Sequence, residues 1–404
     1  MTTELSAGFL PLTDSAILIA AKERGFAEAE GIALNLVRET SWANVRDKLA
    51  VGQFEISHAL APMPIAANLG LTPFDTRLIA PMALGLGGNA ITVSTALLDR
   101  MQDRSGFSGL DAAAAGRALA DVVASGRASG GKALQFGVVH PFSGHNFELR
   151  YWLSASGISP DSDIEIVILP PSLMADALAS GQIDGYCVGE PWNSVAVARG
   201  AGQIITTKSS IWASSPEKVL AVREDWADKN AETLHALLRA LYRAAEWCGQ
   251  TANQFELASL LGSPAYLDQP AEVILPALDG SILGASAPRG GRDFFQPHAR
   301  AATFPWQSHS LWFYSQMVRC GYVGHSAAHA ETARQSYRPD IYRAVMTAIG
   351  APVPSANSKV EGALTEMTAV GASSQFLYLG PDGFFDGAVF DPDALDAYIE
   401  SQTD

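Results

Sequence analysis

The chain has 404 residues, 48% of them apolar, and its 27 Lys+Arg against 42 Asp+Glu give a formal charge of −15. That length leaves room for two or three domains with sizeable cores, and the apolar content excludes a disordered tail or a membrane bundle. No run approaches the roughly 20 apolar residues of a membrane-spanning helix, and so acidic a chain is unsuited to gripping nucleic acid or anionic lipid through a general basic face.

In chain order, Met1-Thr2-Thr3-Glu4-Leu5 leads directly into Ser6–Leu10, which reads as a strand. Glu4 is acidic, no basic residue precedes it and no long apolar stretch follows, so the pattern of a secretory signal is missing and the domain is expected to begin close to residue 1. Further strands are expected at Ala33–Arg38, Ile56–Ala61, Arg77–Pro81, Ala90–Ser94, Gln135–Val139, Glu165–Leu169, Gly185–Val188, Gln203–Thr207 and Val219–Arg223. Helical patterns lie between them at Ala16–Arg24, Ala43–Val51, Asn146–Ala155 and Leu173–Ser180. This rhythm predicts an α/β fold with open, mainly parallel sheets. From Asn230 to Cys248 the pattern is strongly helical, and helices with long loops dominate beyond it. Gly106–Gly131 reads as a surface helix with loose ends and Gly284–Arg292 as a mobile loop. Two units are expected, the second inserted into the first. Residues 1–94 and 209–404 form one lobe, with the C-terminal helices, and 95–208 the other, with crossings near Val93–Ala96 and Lys208–Lys218.

Ligands of open α/β sheets sit outside the carboxyl ends of strands, so those ends carry the chemistry. Three share one form: a strand, a polar or Pro-marked turn, then a helix start. In Thr40-Ser41-Trp42 the serine suits an N-cap and Trp42 the first turn; in His140-Pro141-Phe142-Ser143-Gly144-His145, Ser143 suits the cap. In Gly189-Glu190-Pro191-Trp192-Asn193, Pro191 fits the first helical position. A fourth, Ser57-His58-Ala59-Leu60-Ala61-Pro62-Met63-Pro64, ends in a rigid turn. Converging helix N-termini make an anion site, although each is also an ordinary connection. Trp42 is either a core aromatic or a cleft wall, and His145 either a satisfied imidazole or a donor to an oxyanion. Glu190 either accepts backbone N–H groups or sits protonated or cation-paired near an anion; Lys218 is an edge lysine or the partner of both.

Enzyme signatures are weak: there is no GxSxG, Walker loop, HExxH or zinc-type cysteine pairing, and Gly85-Leu86-Gly87-Gly88 lacks the form of a nucleotide loop. His325 and His329 are spaced to share a helix face but have no third ligand, so no metal is expected. Cys187, Cys248 and Cys320, odd in number and far apart, read as free thiols in a reducing compartment.

Taken together these residues resemble the nitrate/bicarbonate branch of solute-binding proteins, the NrtA and CmpA group. The likeness lies in Ser41-Trp42-Ala43 with Arg46-Asp47, Pro62-Met63-Pro64, Ala90-Ile91-Thr92-Val93, Arg150-Tyr151-Trp152-Leu153, Cys187-Val188-Gly189-Glu190-Pro191-Trp192-Asn193 and Pro216-Glu217-Lys218. Trp247-Cys248, His309-Ser310-Leu311-Trp312-Phe313 and Gln316-Met317-Val318 extend it, so that it runs from about residue 5 to about residue 345. The resemblance implies a two-lobed periplasmic-binding-protein architecture of type II with an added helical C-terminal region, no enzymatic activity and no cofactor. It places the anion site on Trp42, Asn89, His145, Gly189, Glu190 and Lys218, where Asn89 replaces the glutamine usual in the nitrate proteins. Bicarbonate relatives carry a carboxylate in place of Lys218 and use calcium; a lysine implies nitrate or nitrite without metal.

With no export signal in view, the likeness points further to the cytosolic NasS-type sensors. Their expected partner is a NasT-type RNA-binding antiterminator, sequestered by free sensor and released when nitrate binds, so that the partner and not this chain touches RNA. Two alternatives stand beside it: a nitrate or bicarbonate receptor of an ABC transporter whose signal lies outside this sequence, and a cytosolic enzyme on the same fold.

Overall fold

The computed structural model describes residues 2–282, 294–373 and 376–402; the expected loop Gly284–Arg292 lies outside them. Two five-stranded sheets carry the architecture. The first contains β1 (Thr3–Phe9), β2 (Ile32–Arg38), β3 (Ile56–Leu60), β4 (Leu78–Ala83) and β11 (Lys218–Arg223) in the order β2-β1-β3-β11-β4. The second contains β6 (Asn89–Ser94), β7 (Leu134–Val138), β8 (Ile164–Ile168), β9 (Gly185–Gly189) and β10 (Gly202–Thr207) in the order β10-β6-β9-β7-β8. All ten strands expected from the alternation are present, each shifted by no more than a few residues at its ends.

Each sheet is mainly parallel with one strand reversed. β11 runs antiparallel to both β3 and β4, and β6 antiparallel to both β9 and β10. These are the strands on which the chain crosses between lobes, so each enters its sheet from the cleft side and runs against its neighbours. The outward crossing therefore precedes β6: Asn89–Ser94 pairs in the second sheet, not in the first lobe where the expected boundary at residue 94 places it. The crossing itself, Leu84–Gly88, holds the short strand β5 (Leu86–Gly87), which pairs with β12 (Phe295–Gln296). Gly85, Gly87 and Gly88 take φ of 100°, 76° and 93°, and a Cβ on Gly85 would lie 2.9 Å from the Phe295 ring. That glycine run serves close backbone approach at a crossing.

Parallel strands place their carboxyl ends on the cleft side, and the local sequence fixes how helices leave them. Ser41 Oγ accepts from Asn44 N at 3.2 Å and starts the helix Trp42–Ala50; Ser143 Oγ accepts from Asn146 N at 3.0 Å and starts Gly144–Ala155. Pro191 occupies the cap position of Trp192–Ala198, one residue earlier than expected. Ala112–Ala128, read as a surface helix, buries Ala115, Gly116, Leu119 and Val122, with Gly116 closely packed against Ser156.

The C-terminal region is helical (Gln254–Leu261, Ala271–Asp279, Gln307–Arg319, Ala327–Gln335, Pro339–Ala348, Leu395–Glu400), with a small hairpin of β13 (Thr368–Val370) and β14 (Leu377–Leu379). His325 and His329 are engaged separately: His325 lies 2.8 Å from Asp396 and 3.0 Å from Tyr314, while His329 meets the Gly324 carbonyl at 2.8 Å. The three cysteines are free. Among the described residues no helix is long and apolar enough to cross a membrane.

Candidate functional site

Both lobes bring side chains to their facing strand ends. From the first sheet come Asp14, just beyond β1, Trp42 at the helix start after β2, His58 on β3, and Glu217-Lys218 at the start of β11. From the second come Asn89, the first residue of β6, His145 in the first turn after Ser143, Gly189 at the end of β9, and Lys208 after β10. The Thr13 N–H donates to the Glu190 carbonyl at 2.7 Å and joins the two sides directly.

The contacts form one continuous network. Lys218 Nζ donates to Asp14 Oδ2 and to Glu217 Oε1, both at 2.7 Å, and lies 5.4 Å from the centre of the Trp42 ring. Asp14 Oδ1 meets His58 Nε2 at 3.0 Å, and the His58 and Trp42 rings lie 5.4 Å apart. Glu217 Oε2 takes Lys208 Nζ at 2.5 Å; Lys208 also reaches the Pro216 carbonyl and Glu148 Oε1, each at 2.6 Å. His145 Nδ1 lies 3.4 Å from Glu217 Oε1. Asn89 pairs in register with Gly189, and a Cβ added to Gly189 would lie 3.3 Å from Asn89 Oδ1 and 3.5 Å from Asp14 Oδ2.

An ammonium has three protons. Lys208 donates to the Pro216 carbonyl and to Glu217 and lies in ion-pair contact with Glu148, whereas Lys218 donates twice and keeps one N–H. Around it Trp42 Nε1, both amide atoms of Asn89, His145 Nε2 and Thr13 Oγ1 are buried without a hydrogen-bond partner among the described residues. A buried polar atom without a partner costs about 1–3 kcal/mol, so this cluster is the candidate site.

Charge in this network is balanced before any ligand arrives. Burial works to raise Asp14, but the nearby Lys218 and His58 outweigh it and hold the carboxyl below its ordinary range. Burial opposes ionisation of Glu217 too, yet His145, Lys208 and Lys218 bring it down to about 2. Glu148 goes the other way: burial, only partly offset by Lys208, raises it to about 8, so it is largely protonated at neutral pH. Burial lowers His145 to about 3 and also lowers His58, leaving both imidazoles neutral. Two lysines thus face two carboxylates, and the neutral His145, Trp42 and Asn89 present hydrogen-bond donors.

Of the residues assigned from sequence, the fold gathers Trp42, Asn89, His145, Gly189 and Lys218 around one point. Glu190 belongs to the same shell, but its carboxylate accepts from Ser194 N at 3.0 Å and Ser194 Oγ at 3.1 Å, and burial raises it to about 7. Asp14, His58, Glu217, Lys208 and Glu148 received no role from sequence. Glu217 was detectable as the neighbour of Lys218; Asp14 and Lys208 carried no signal, because their partners are fixed only by folding.

A model of the NMT1-like family matches residues 1–262. The nitrate/nitrite binding protein NrtA of Synechococcus elongatus is 32% identical over 97% of this chain and 84% of its own length. The nitrate import ATP-binding protein NrtC of Synechocystis is 34% identical over 86% of this chain, but the chain spans only 50% of that protein. In three dimensions the crystal structure of the periplasmic nitrate-binding protein NrtA from Synechocystis PCC 6803 superposes with a TM-score of 0.83 at 28% identity, covering 99% of this chain and 98% of the other. The alkanesulfonate-binding protein SsuA from Xanthomonas axonopodis, at 17% identity and a TM-score of 0.55 over 78% of this chain and 94% of the other, shares the fold. Family match and superposition agree with the two mixed sheets and the facing strand ends: the chain belongs to the NMT1-like family and has the two-lobed fold of solute-binding proteins, not enzymes.

Proposed function

We propose that the chain binds one nitrate or nitrite ion between its lobes, on Trp42, Asn89, His145, Gly189 and Lys218, with Glu190 supporting the wall through Ser194 and Thr13. The observation that carries this is the single uncommitted N–H of a fully buried lysine beside partnerless Trp42, Asn89 and His145. An anion that only accepts hydrogen bonds suits a lining of donors whose carboxylates are already committed to lysines. The nitrate/nitrite binding proteins among the relatives support the same choice. Calorimetric titration with nitrate, nitrite, bicarbonate and chloride tests it: nitrate or nitrite binds tightest without added metal, and tighter binding of bicarbonate, or a requirement for calcium, overturns it.

Closure of the lobes on the anion supplies a switch, because a ligand shifts a conformational equilibrium by its preference for one state. The regulatory reading is a cytoplasmic sensor that holds a NasT-type antiterminator when empty and releases it when filled. It is supported by the resemblance to the NasS-type sensors and by the net charge of −15, which suits a basic protein partner and disfavours direct contact with RNA. Size-exclusion chromatography with the purified antiterminator should show a complex that nitrate dissociates. No complex, together with nitrate-dependent binding to the membrane subunits of an importer, would select the transport receptor, which the matches to nitrate import proteins favour.

A further inference from the structure

The hairpin of β13 and β14 presents an apolar face to solvent. Ala369 stands opposite Tyr378, with Thr368 opposite Leu379 and Val370 opposite Leu377. Side chains alternate along a strand, so Met367, Ala369, Phe376 and Tyr378 share one face and Thr368, Val370, Leu377 and Leu379 the other. The second face packs inward, where Leu379 belongs to the core and Val370 lies against it. The first is open: Met367 is 53% exposed, Tyr378 50% and Phe376 83%. Single exposed apolar residues are ordinary, but three on one ribbon form a patch.

The same ribbon borders a socket. Met367 and Tyr378 wall a half-open cavity of about 310 Å³, floored by the rings of Tyr242, Phe304 and Tyr342, with the last two edge to face at 5.5 Å. The Thr303 and Tyr342 hydroxyls pair with each other at 2.6 Å, and Arg300 on the wall has a partner of its own, so the floor offers mainly ring surface. One edge of the ribbon is covered: the Ser355 N–H donates to the Gly371 carbonyl at 3.0 Å and the Ser373 N–H to the Val353 carbonyl at 3.1 Å, both on the β13 side. Among the described residues β14 pairs with β13 alone, which leaves its outer edge open. Residues 367–381 contain no Asp, Glu, Lys or Arg, so the edge lacks the charges that usually guard against strand addition.

We propose that this ribbon is a self-association surface: two copies of the chain meet about a two-fold axis, their β14 edges pair antiparallel, and the Phe376 of each enters the other's cavity. Knob and socket lie on one ribbon, as an isologous interface requires, because such a patch must complement itself. Charge selects a second copy over a basic partner. Two chains of −15 repel, so they can touch only where the facing surfaces are neutral, while salt screens charges more than roughly 8–10 Å apart. A basic protein would gain nothing from a face without carboxylates. One short strand edge and a few side chains are little beside the roughly 800 Å² a side of a standard interface, so the dimer is weak and forms in the micromolar range or above. The proposal does not depend on what the cleft binds.

Sedimentation velocity of the full chain, from micromolar to millimolar concentration at physiological salt, tests it. A monomer–dimer equilibrium that stops at the dimer is expected. Monomer throughout overturns the proposal, and so does growth beyond the dimer, which would make the edge an open-ended aggregation surface. Phe376→Glu should weaken the dimer about 30-fold or more, as loss of a central aromatic anchor does, and leave the melting temperature unchanged, since the side chain lies almost wholly outside the fold. Phe376→Ser should act in the same direction without adding charge. A dimer indifferent to both substitutions is built elsewhere and overturns the proposal. Benzoylphenylalanine at position 376 locates the contact: in the photocrosslinked dimer it should be joined to a peptide of the second copy containing Phe304 or Tyr342, and crosslinks between chains only at other places overturn it.

Discussion

Lys218 Nζ lies 2.7 Å from Asp14 Oδ2 across 204 residues of sequence, which fixes the ammonium at the start of β11 against the turn that follows β1. With Glu217 on its other side, the lysine is not a free positive charge but an oriented donor with one N–H left over. Removing it takes away a bond to the anion and strands two carboxylates.

Lys218→Met should therefore weaken nitrate binding about 30-fold or more, the value of a charge-assisted hydrogen bond of about 2 kcal/mol. It should also lower the melting temperature, because breaking a buried ion pair costs roughly 3–5 kcal/mol. Calorimetry and thermal unfolding read the two effects separately; an unchanged affinity would take Lys218 out of the site.

Asn89 predicts the opposite split. Neither amide atom has a hydrogen-bond partner among the described residues, although the side chain is fully buried. Asn89→Leu, similar in volume, should leave the unliganded protein as stable as the wild type or slightly more so, yet lower anion affinity about 5- to 13-fold, the worth of one neutral hydrogen bond of about 1–1.5 kcal/mol. A fall in stability with unchanged affinity would make Asn89 purely structural.

Gly144 tests the network from the helix side. A Cβ there would lie 2.3 Å from Glu217 Oε2 and 3.3 Å from Lys208 Nζ. Gly144→Ala should cost about 1–3 kcal/mol of stability, as overpacking does, and weaken binding through displaced Glu217 and His145. Denaturant unfolding of the variant measures the first effect and calorimetry the second.

Stability should fall on both sides of a weakly acid optimum. Glu217, held at about 2, and Asp14, also lowered, contribute stability above their ordinary values of 4.5 and 3.8 that is lost as the pH falls toward their folded values. Glu190 and Glu148, raised to about 7 and about 8, contribute stability that is complete below 4.5 and is lost as the pH rises through those values. Glu148→Gln should flatten the alkaline side: its melting temperature drops less than that of the wild type between about pH 5 and about pH 9. An equal drop would show that Glu148 ionises freely in the folded protein.

What the sequence by itself determined is the local part: ten strands from their apolar runs, the capped starts at Ser41 and Ser143, and the placing of Trp42, His145 and Lys218 beside strand ends. Periodicity and capping involve residues within a few positions of one another, so they are legible without the fold. Only the tertiary structure decided that β6 and β11 run antiparallel, that Asn89 therefore opens a strand of the second sheet, and that the Glu190 carboxylate turns to Ser194. It also decided the partners of Lys218. A lysine followed along the chain predicts a charge; what it becomes depends on Asp14, brought from the other end of the first lobe. Buried charges take their state from desolvation and from the nearest opposite charge, and both are properties of space rather than of sequence.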